Sequence, residues 1–190
     1  MILPIVTYGT PVLREETTTV ESDSPELQAL IDDMIETMHN APGIGLAAPQ
    51  VGRTERLFVA DISPPEGEEP LPDLPEIAAA GPMVFINPEI IADEEGEETE
   101  YEEGCLSIPG LYERVVRPDH IRVRYLDRHF EPQEIDATGL LSRVIQHETD
   151  HLDGVLFIDL VSPLKRRLLR RRLRDMSRGN VEADYPVSTP

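Results

Sequence analysis

A chain of 190 residues with 37 acidic and 17 basic side chains carries a formal charge of −20, a balance that repels the body of the protein from RNA phosphates. The single cysteine, Cys105, excludes an intrachain disulfide, the opening MILPIVTYGT lacks the basic start and long apolar core of a secretory signal, and no apolar run approaches the roughly eighteen residues of a membrane span. One cytoplasmic domain is expected, long enough to bury roughly 70% of the surface its unfolded chain exposes. The acid excess, with Lys165 the only lysine, fits either adaptation to concentrated salt or an Arg-rich genome, and composition alone leaves both open.

The elements follow an α+β order. SPELQALIDDMIETMHN reads as a helix, with Ser24 as N-cap, Pro25 in the first turn, and Leu27, Leu30, Ile31, Met34, Ile35 and Met38 on one stripe. APG ends it. An uncharged turn, GIGLAAPQVG (43–52), leads to a strand, RLFVADI. Residues 64–82 hold six of the 18 prolines and are expected to form a surface excursion rather than a linker between domains. MVFINPEII is strand-like, and the acid-rich DEEGEETEYEEG (93–104) reads as a solvated face or hairpin. HIRVRYL alternates Ile121, Val123 and Tyr125 with Arg122 and Arg124, as a half-buried strand does. A helix is expected from about Leu140 to Leu152 and another after Pro163.

Within the first of these last two helices, QHETDHLDG (146–154) sets His147 and His151 four apart. Positions i and i+4 project from nearly one face, so two imidazoles there can grip one metal ion. Leu140 and Val144 lie on the same side, which turns the histidines inward. A buried Glu148 beside them is costly without a cation or proton nearby, which favours a metal over two satisfied core histidines. His39, His120 and His129 lack such partners and are expected at the surface.

H-E-x-x-H often marks a zinc protease, so the third ligand discriminates. The longer form H-E-x-x-H-x-x-G-x-x-H fits as far as Gly154 and then meets Phe157 where the last histidine belongs. A downstream glutamate ligand is poorly provided for, with only Asp159 before Glu182. Upstream, EGCLSIPG (103–110) offers Cys105, whose thiolate binds soft or borderline divalent ions well. A free cysteine is often inert packing, but the flanking Gly104 and a tight SIPG turn suit exposed backbone and favour ligation. On residue type alone, Ile44, Leu140 and Val144 are pocket walls or ordinary core, and Gln50 is most simply a surface amide. Gly45 and Gly104 are places where a peptide backbone could lie alongside as an added strand.

GIGLAAPQVG, EGCLSIPG and QHETDHLDG, in that order, closely resemble the peptide deformylase family, which removes the N-formyl group from new bacterial polypeptides. The likeness extends to ILPIVTYGTPVLR and GVLFIDL and covers nearly all of residues 2–161. The resemblance implies a single α+β domain with antiparallel sheets around a central H-E-x-x-H helix, an N-terminal helix and a basic C-terminal helix. It implies one divalent ion held by Cys105, His147 and His151, typically Fe(2+), with Zn(2+), Ni(2+) or cobalt able to occupy the site. Glu148 becomes the acid/base, Gln50 and the Leu106 N–H lie near the substrate carbonyl, and Ile44, Leu140 and Val144 wall a methionine pocket. Three protein ligands leave a position for water, whose pKa a cation lowers, and Glu148 can carry its proton to the leaving amine. Two features depart from the family pattern: the excursion at 64–82 is longer than in many members, and LDRHFEP lacks a glycine often found in that hairpin.

Residues 1–163 are thus expected to be the catalytic domain and 164–190 a basic helix and tail, dispensable for turnover of a free peptide. In LKRRLLRRRLRDMSR, Arg166, Arg167, Arg170, Arg171, Arg174 and Arg178 gather opposite Leu164, Leu168, Leu169, Leu173 and Met176. The leucines could dock on the domain, or residues 164–178 could meet ribosomal RNA while formyl-Met chains emerge. A different metal amidohydrolase, and a non-catalytic module that binds metal structurally and nucleic acid through the tail, stay open on the residues alone.

Overall fold

The apolar stripe of the first helix decides where the main sheet lies. In the computed structural model, which describes residues 1–65, 67–69, 74–92 and 96–190, the elements begin β1 (Ile5–Val6), α1 (Pro25–Asn40), β2 (Gly45–Ala47), β3 (Leu57–Ala60), α2 (Glu76–Ala79) and β4 (Met83–Ala92). They continue β5 (Glu98–Cys105), β6 (Ile108–Pro118), β7 (His120–Leu126), β8 (Pro132–Thr138), α3 (Gly139–Leu152), α4 (Phe157–Leu160), α5 (Pro163–Met176) and β9 (Val187–Ser188), with short 3-10 turns at Pro11–Arg14 and Ala48–Val51. The parts of the expected excursion and acidic run at 66, 70–73 and 93–95 lie outside the described residues.

Helix α1 starts as its sequence demands: the Ser24 hydroxyl accepts the Leu27 N–H at 3.1 Å, satisfying one of the donors a helix start leaves open. Leu27, Ile31, Met34 and Met38 pack with Leu46, Leu57, Val59, Val84 and Ile86 on one face of a five-stranded sheet. Its order is β2-β3-β4-β7-β8, every neighbouring pair antiparallel. On the other face Phe58, Phe85, Val123 and Tyr125 meet Leu141, Val144, Ile145 and Leu152 of α3. Phe58 stacks on Phe85 with ring centroids 4.5 Å apart, and Phe85 meets Tyr125 at 4.3 Å. Both faces of β3 are therefore covered, which is why RLFVADI reads as a continuous apolar run rather than an alternation.

The acidic run becomes the strand β5, hairpinned to β6. The turn comes earlier than the expected SIPG: Cys105 pairs with Ile108, leaving Leu106 and Ser107 as the two turn residues and placing Gly110 inside β6. Ile108, Leu111 and Val115 of β6 form a third cluster with Leu156, Phe157, Ile158, Val161, Leu173 and Met176. The β1–β9 pair is parallel, unlike the other sheets.

On α5 the leucine face splits. Leu173 and Met176 are buried and Leu169 packs beside them, but Leu164 and Leu168 are 70% and 75% exposed. At about 100° per residue, Leu169, Leu173 and Met176 fall within about 60° of one another while Leu164 lies well round the helix, so one docking line cannot bury them all. Among the described residues, no helix is long and apolar enough to cross a membrane.

Candidate metal centre

Helix α3 turns His147, Glu148 and His151 inward because Leu141, Val144, Ile145 and Leu152 seat it on the sheet. The β5–β6 turn brings Cys105 to them. One ligand atom from each of Cys105, His147 and His151 lies within 4.8 Å of the others, and Cys105 Sγ stands 3.2 Å from His151 Nε2. A thiol and two imidazoles on three converging points form a donor set suited to a soft or borderline divalent ion. Burial is the largest cause holding the His151 pKa well below its ordinary value. Phe157, at the position where the longer protease motif has histidine, stacks on His147 with centroids 6.1 Å apart. Asp159 instead pairs with Arg14, outside this group.

Residue-type reasoning missed what aims His147. Glu103, expected among the solvated acids, is 5% exposed, and its Oε2 meets His147 Nδ1 at 2.9 Å, leaving the opposite ring nitrogen for the centre. Arg117 grips the same carboxylate with both arms, Nε to Oε1 at 2.7 Å and Nη2 to Oε2 at 3.0 Å, and Arg143 adds a bond at 3.0 Å. Burial alone would raise the Glu103 pKa, but the His147 and Arg117 hydrogen bonds and charges outweigh it and hold the carboxyl well below its usual range. The alternation along β5 held the signal: Glu98, Glu100 and Glu102 are exposed, and Glu103 falls on the inner face.

Glu148 is 4% exposed and its Oε2 finds no hydrogen-bond partner among the described residues. Burial, aided by the Glu103 and Asp150 carboxylates and opposed by the His147 and Arg117 charges, pushes its pKa up to about 7. Gln50, which residue type alone would put at the surface, is buried at 1% exposure. Its Oε1 accepts the Ala47 N–H at 2.8 Å, which turns Nε2 towards Cys105 Sγ at 3.6 Å. The amide is thereby committed to donating into the centre.

A cavity of about 700 Å³ opens over these groups. Its lining brings together Cys105, Leu106, His147, Glu148 and Gln50 with Ile44, Gly45, Gly104, Leu140 and Val144, and does not include the buried His151. Val144 is buried, whereas Ile44 and Leu140 are 46% and 39% exposed, so those two are not ordinary core. Gly45 and Gly104 are needed for space: a Cβ would lie 2.4 Å from Glu148 Oε1 at the first and 2.5 Å from the Tyr112 ring at the second. Of the other histidines, His39 and His129 are exposed, and His120 is half-buried at the surface. His39 and His120 each meet an aspartate, Asp61 and Asp136.

The fold and the centre define an α+β protein with a thiol-and-imidazole metal-site candidate on an H-E-x-x-H helix. Residues 2–167 match the polypeptide deformylase family. The chain is 62% identical to the peptide deformylase of Salinibacter ruber, over 100% of this chain and 95% of that one. It is 47% identical to that of Chlorobium limicola, over 100% and 97%. Among solved structures, the Legionella pneumophila peptide deformylase aligns with a TM-score of 0.79 at 43% identity, covering 94% of this chain and 96% of that one. The Synechococcus elongatus enzyme in complex with actinonin aligns with a TM-score of 0.76 at 42% identity, covering 90% and 87%. The chain belongs to the polypeptide deformylase family.

Proposed function

We propose that Cys105, His147 and His151 hold one divalent ion, Fe(2+) in the resident enzyme with Zn(2+) or Ni(2+) able to replace it, and that Glu148 is the proton carrier of the reaction. As a deformylase the chain is a hydrolase that removes the N-formyl group from nascent polypeptides. The observation that carries the residue assignment is the convergence of a soft three-donor group with a buried, unpartnered carboxylate at one cavity. When bound, the ion supplies Lewis-acid activation of water and of the formyl carbonyl. Glu148 takes a proton from the attacking water and passes it to the amine as the formyl C–N bond breaks and formate leaves. Burial, which raises the pKa of its carboxyl, favours the protonated form it needs for the second transfer. Gln50 Nε2 and the Leu106 N–H donate to the oxygen that becomes anionic. Ile44, Leu140 and Val144 wall the methionine side chain, while Gly45 and Gly104 let the peptide backbone lie alongside as an added strand. The soft thiolate supports ferrous iron, and makes the site sensitive to oxygen through both metal and sulfur.

Glu148→Gln tests the assignment. It is expected to retain metal after anaerobic purification and to lose about 10²- to 10⁴-fold in deformylation of a formyl-Met peptide. Metal lost in proportion to activity would make Glu148 part of the ligand set instead.

We further propose that the metal-holding residues and the proton carrier lie within residues 1–163 while the tail beyond α5 adds to the cavity wall, that the enzyme works in the cytoplasm where formyl-Met chains emerge, and that 164–178 contact ribosomal RNA. The arginine side of α5 and the exposed Leu164 and Leu168 support that contact. Its test is sedimentation with ribosomes over a salt series, using charge reversal at Arg167, Arg170 and Arg174 rather than deletion, because the tail beyond α5 reaches the cavity. Reduced, salt-sensitive pelleting of the variant is expected; pelleting equal to wild type would sink the contact.

A further inference from the structure

The residues that follow α5 return to the cavity and contribute Glu182, Ala183, Asp184 and Tyr185 to its lining. Two backbone bonds tie this segment down beyond Tyr185: Ile5 N–H to Pro186 O at 2.9 Å and Thr7 N–H to Ser188 O at 3.0 Å, within the β1–β9 pair. Tyr185 is half-buried, its ring packed with Leu106 against the α1 cluster. Its hydroxyl donates to the Leu106 carbonyl at 2.8 Å. The next carbonyl, Ser107 O, accepts the Tyr8 N–H at 2.9 Å. The turn that follows Cys105 is therefore pinned at both carbonyls by segments from opposite ends of the chain. Its own side chain gives no such support, since the buried Ser107 Oγ has no partner among the described residues.

A short turn keeps two soft dihedrals per residue, and an oxyanion donor works only if it is aimed before the charge develops. Anchoring the Leu106 carbonyl restricts rotation about the same residue whose N–H is the proposed oxyanion donor. We propose that Tyr185 is a positioning residue for deformylation, holding the Leu106 backbone through its carbonyl, and that residues 181–190 are a strap completing the cavity wall. The proposal rests on the reading of Leu106 as a donor to the formyl oxygen.

Tyr185→Phe keeps the ring and removes the anchor. In the metal-loaded enzyme it is expected to lower kcat about two- to tenfold, the range of one lost hydrogen bond, with KM roughly unchanged. Metal content should match wild type and melting temperature should fall by no more than the roughly 2–6 °C that one such bond is worth, a split that a merely structural role would not produce. Deletion of 181–190 removes the wall as well and should lower kcat at least as far while raising KM. Wild-type kcat in Tyr185→Phe, or a loss of metal and melting temperature in step with activity, overturns the positioning role. A folded deletion variant with wild-type kcat and KM removes the strap from the site, and if that variant does not fold, Tyr185→Phe decides alone. Failure of the wild-type protein to deformylate would instead strike the deformylase reading itself.

Discussion

Gly45→Ala places a single methyl group against the proposed proton carrier. The new Cβ would lie 2.4 Å from Glu148 Oε1, 2.8 Å from its Cδ and 2.9 Å from its Cγ. Restoring ordinary contact requires a retreat of about 1 Å, and the carboxylate is the part free to make it. Gly45 is held by its pairing with Ala60, and α3 is packed on the sheet through Leu141, Val144, Ile145 and Leu152. Overpacking of this kind costs about 1–3 kcal/mol, a loss of several degrees in melting temperature that the fold can bear. A 1 Å misplacement of a catalytic group can cost about 10²-fold in rate. Because Glu148 is not among the three residues proposed to hold the ion, metal content should be unchanged. The assay is kcat and KM for a formyl-Met peptide at matched metal occupancy, with thermal melts alongside. A folded, metal-loaded Gly45→Ala enzyme with near-wild-type kcat would refute the reasoning. A rise confined to KM would move the role of Gly45 to the substrate backbone.

Cys105→Ser replaces the proposed sulfur ligand with a poorly ionised hydroxyl. Iron should be lost from anaerobically purified protein while melting stays cooperative, since the side chain is half-buried at the edge of its cluster; full iron and full rate would remove Cys105 from the centre. Acid stability should depend on Asp159, which pairs with Arg14 and accepts the Leu156 N–H at 3.0 Å. Burial alone would raise its pKa, but the Arg14 and Leu156 hydrogen bonds and the Arg14 charge hold it below the usual 3.8. A carboxyl depressed on folding stabilises the native state above its unfolded pKa and loses that contribution as pH falls through the folded one. Asp159→Asn should therefore melt below wild type near neutral pH and converge with it below about pH 4; a constant offset across that range would contradict the assignment.

Features written in local pattern were legible before the fold was known. The cap at Ser24, the stripe on α1 and the alternation of β7 each arise from neighbours a few residues apart, and each appears where expected. β6 and β8 were not singled out, for different reasons. β6 alternates, but Arg117 occupies an inward position and breaks the apolar reading; it sits there because it bonds Glu103 fourteen residues away in sequence. β8 lies at the edge of the sheet with most of its side chains exposed or half-exposed, so little apolar patterning is required of it. The splitting of the α5 leucines depends on which arc of the helix meets β6 and α4, which helical periodicity alone does not specify.

The site divides along the same line. His147, Glu148 and His151 share one helix, so their spacing displays their geometry, and Cys105 stands out as the only thiol. The groups that aim them come from other elements: Glu103 reaches His147 across 44 residues and Tyr185 reaches Leu106 across 79. Such partners look ordinary in sequence because their chemistry is conferred by burial. A glutamate in an acidic strand is solvated by default; the inward register of β5 buries Glu103 against His147 and two guanidiniums, and the His147 and Arg117 bonds hold its carboxyl well below the usual range. Removing either arginine would leave buried charge uncompensated, a costlier state than never having built the network. The arginines are therefore part of the same device as the carboxylate: they keep Glu103 ionised, the ionised carboxylate sets the orientation of the His147 ring, and that orientation leaves its other nitrogen facing Cys105 and His151.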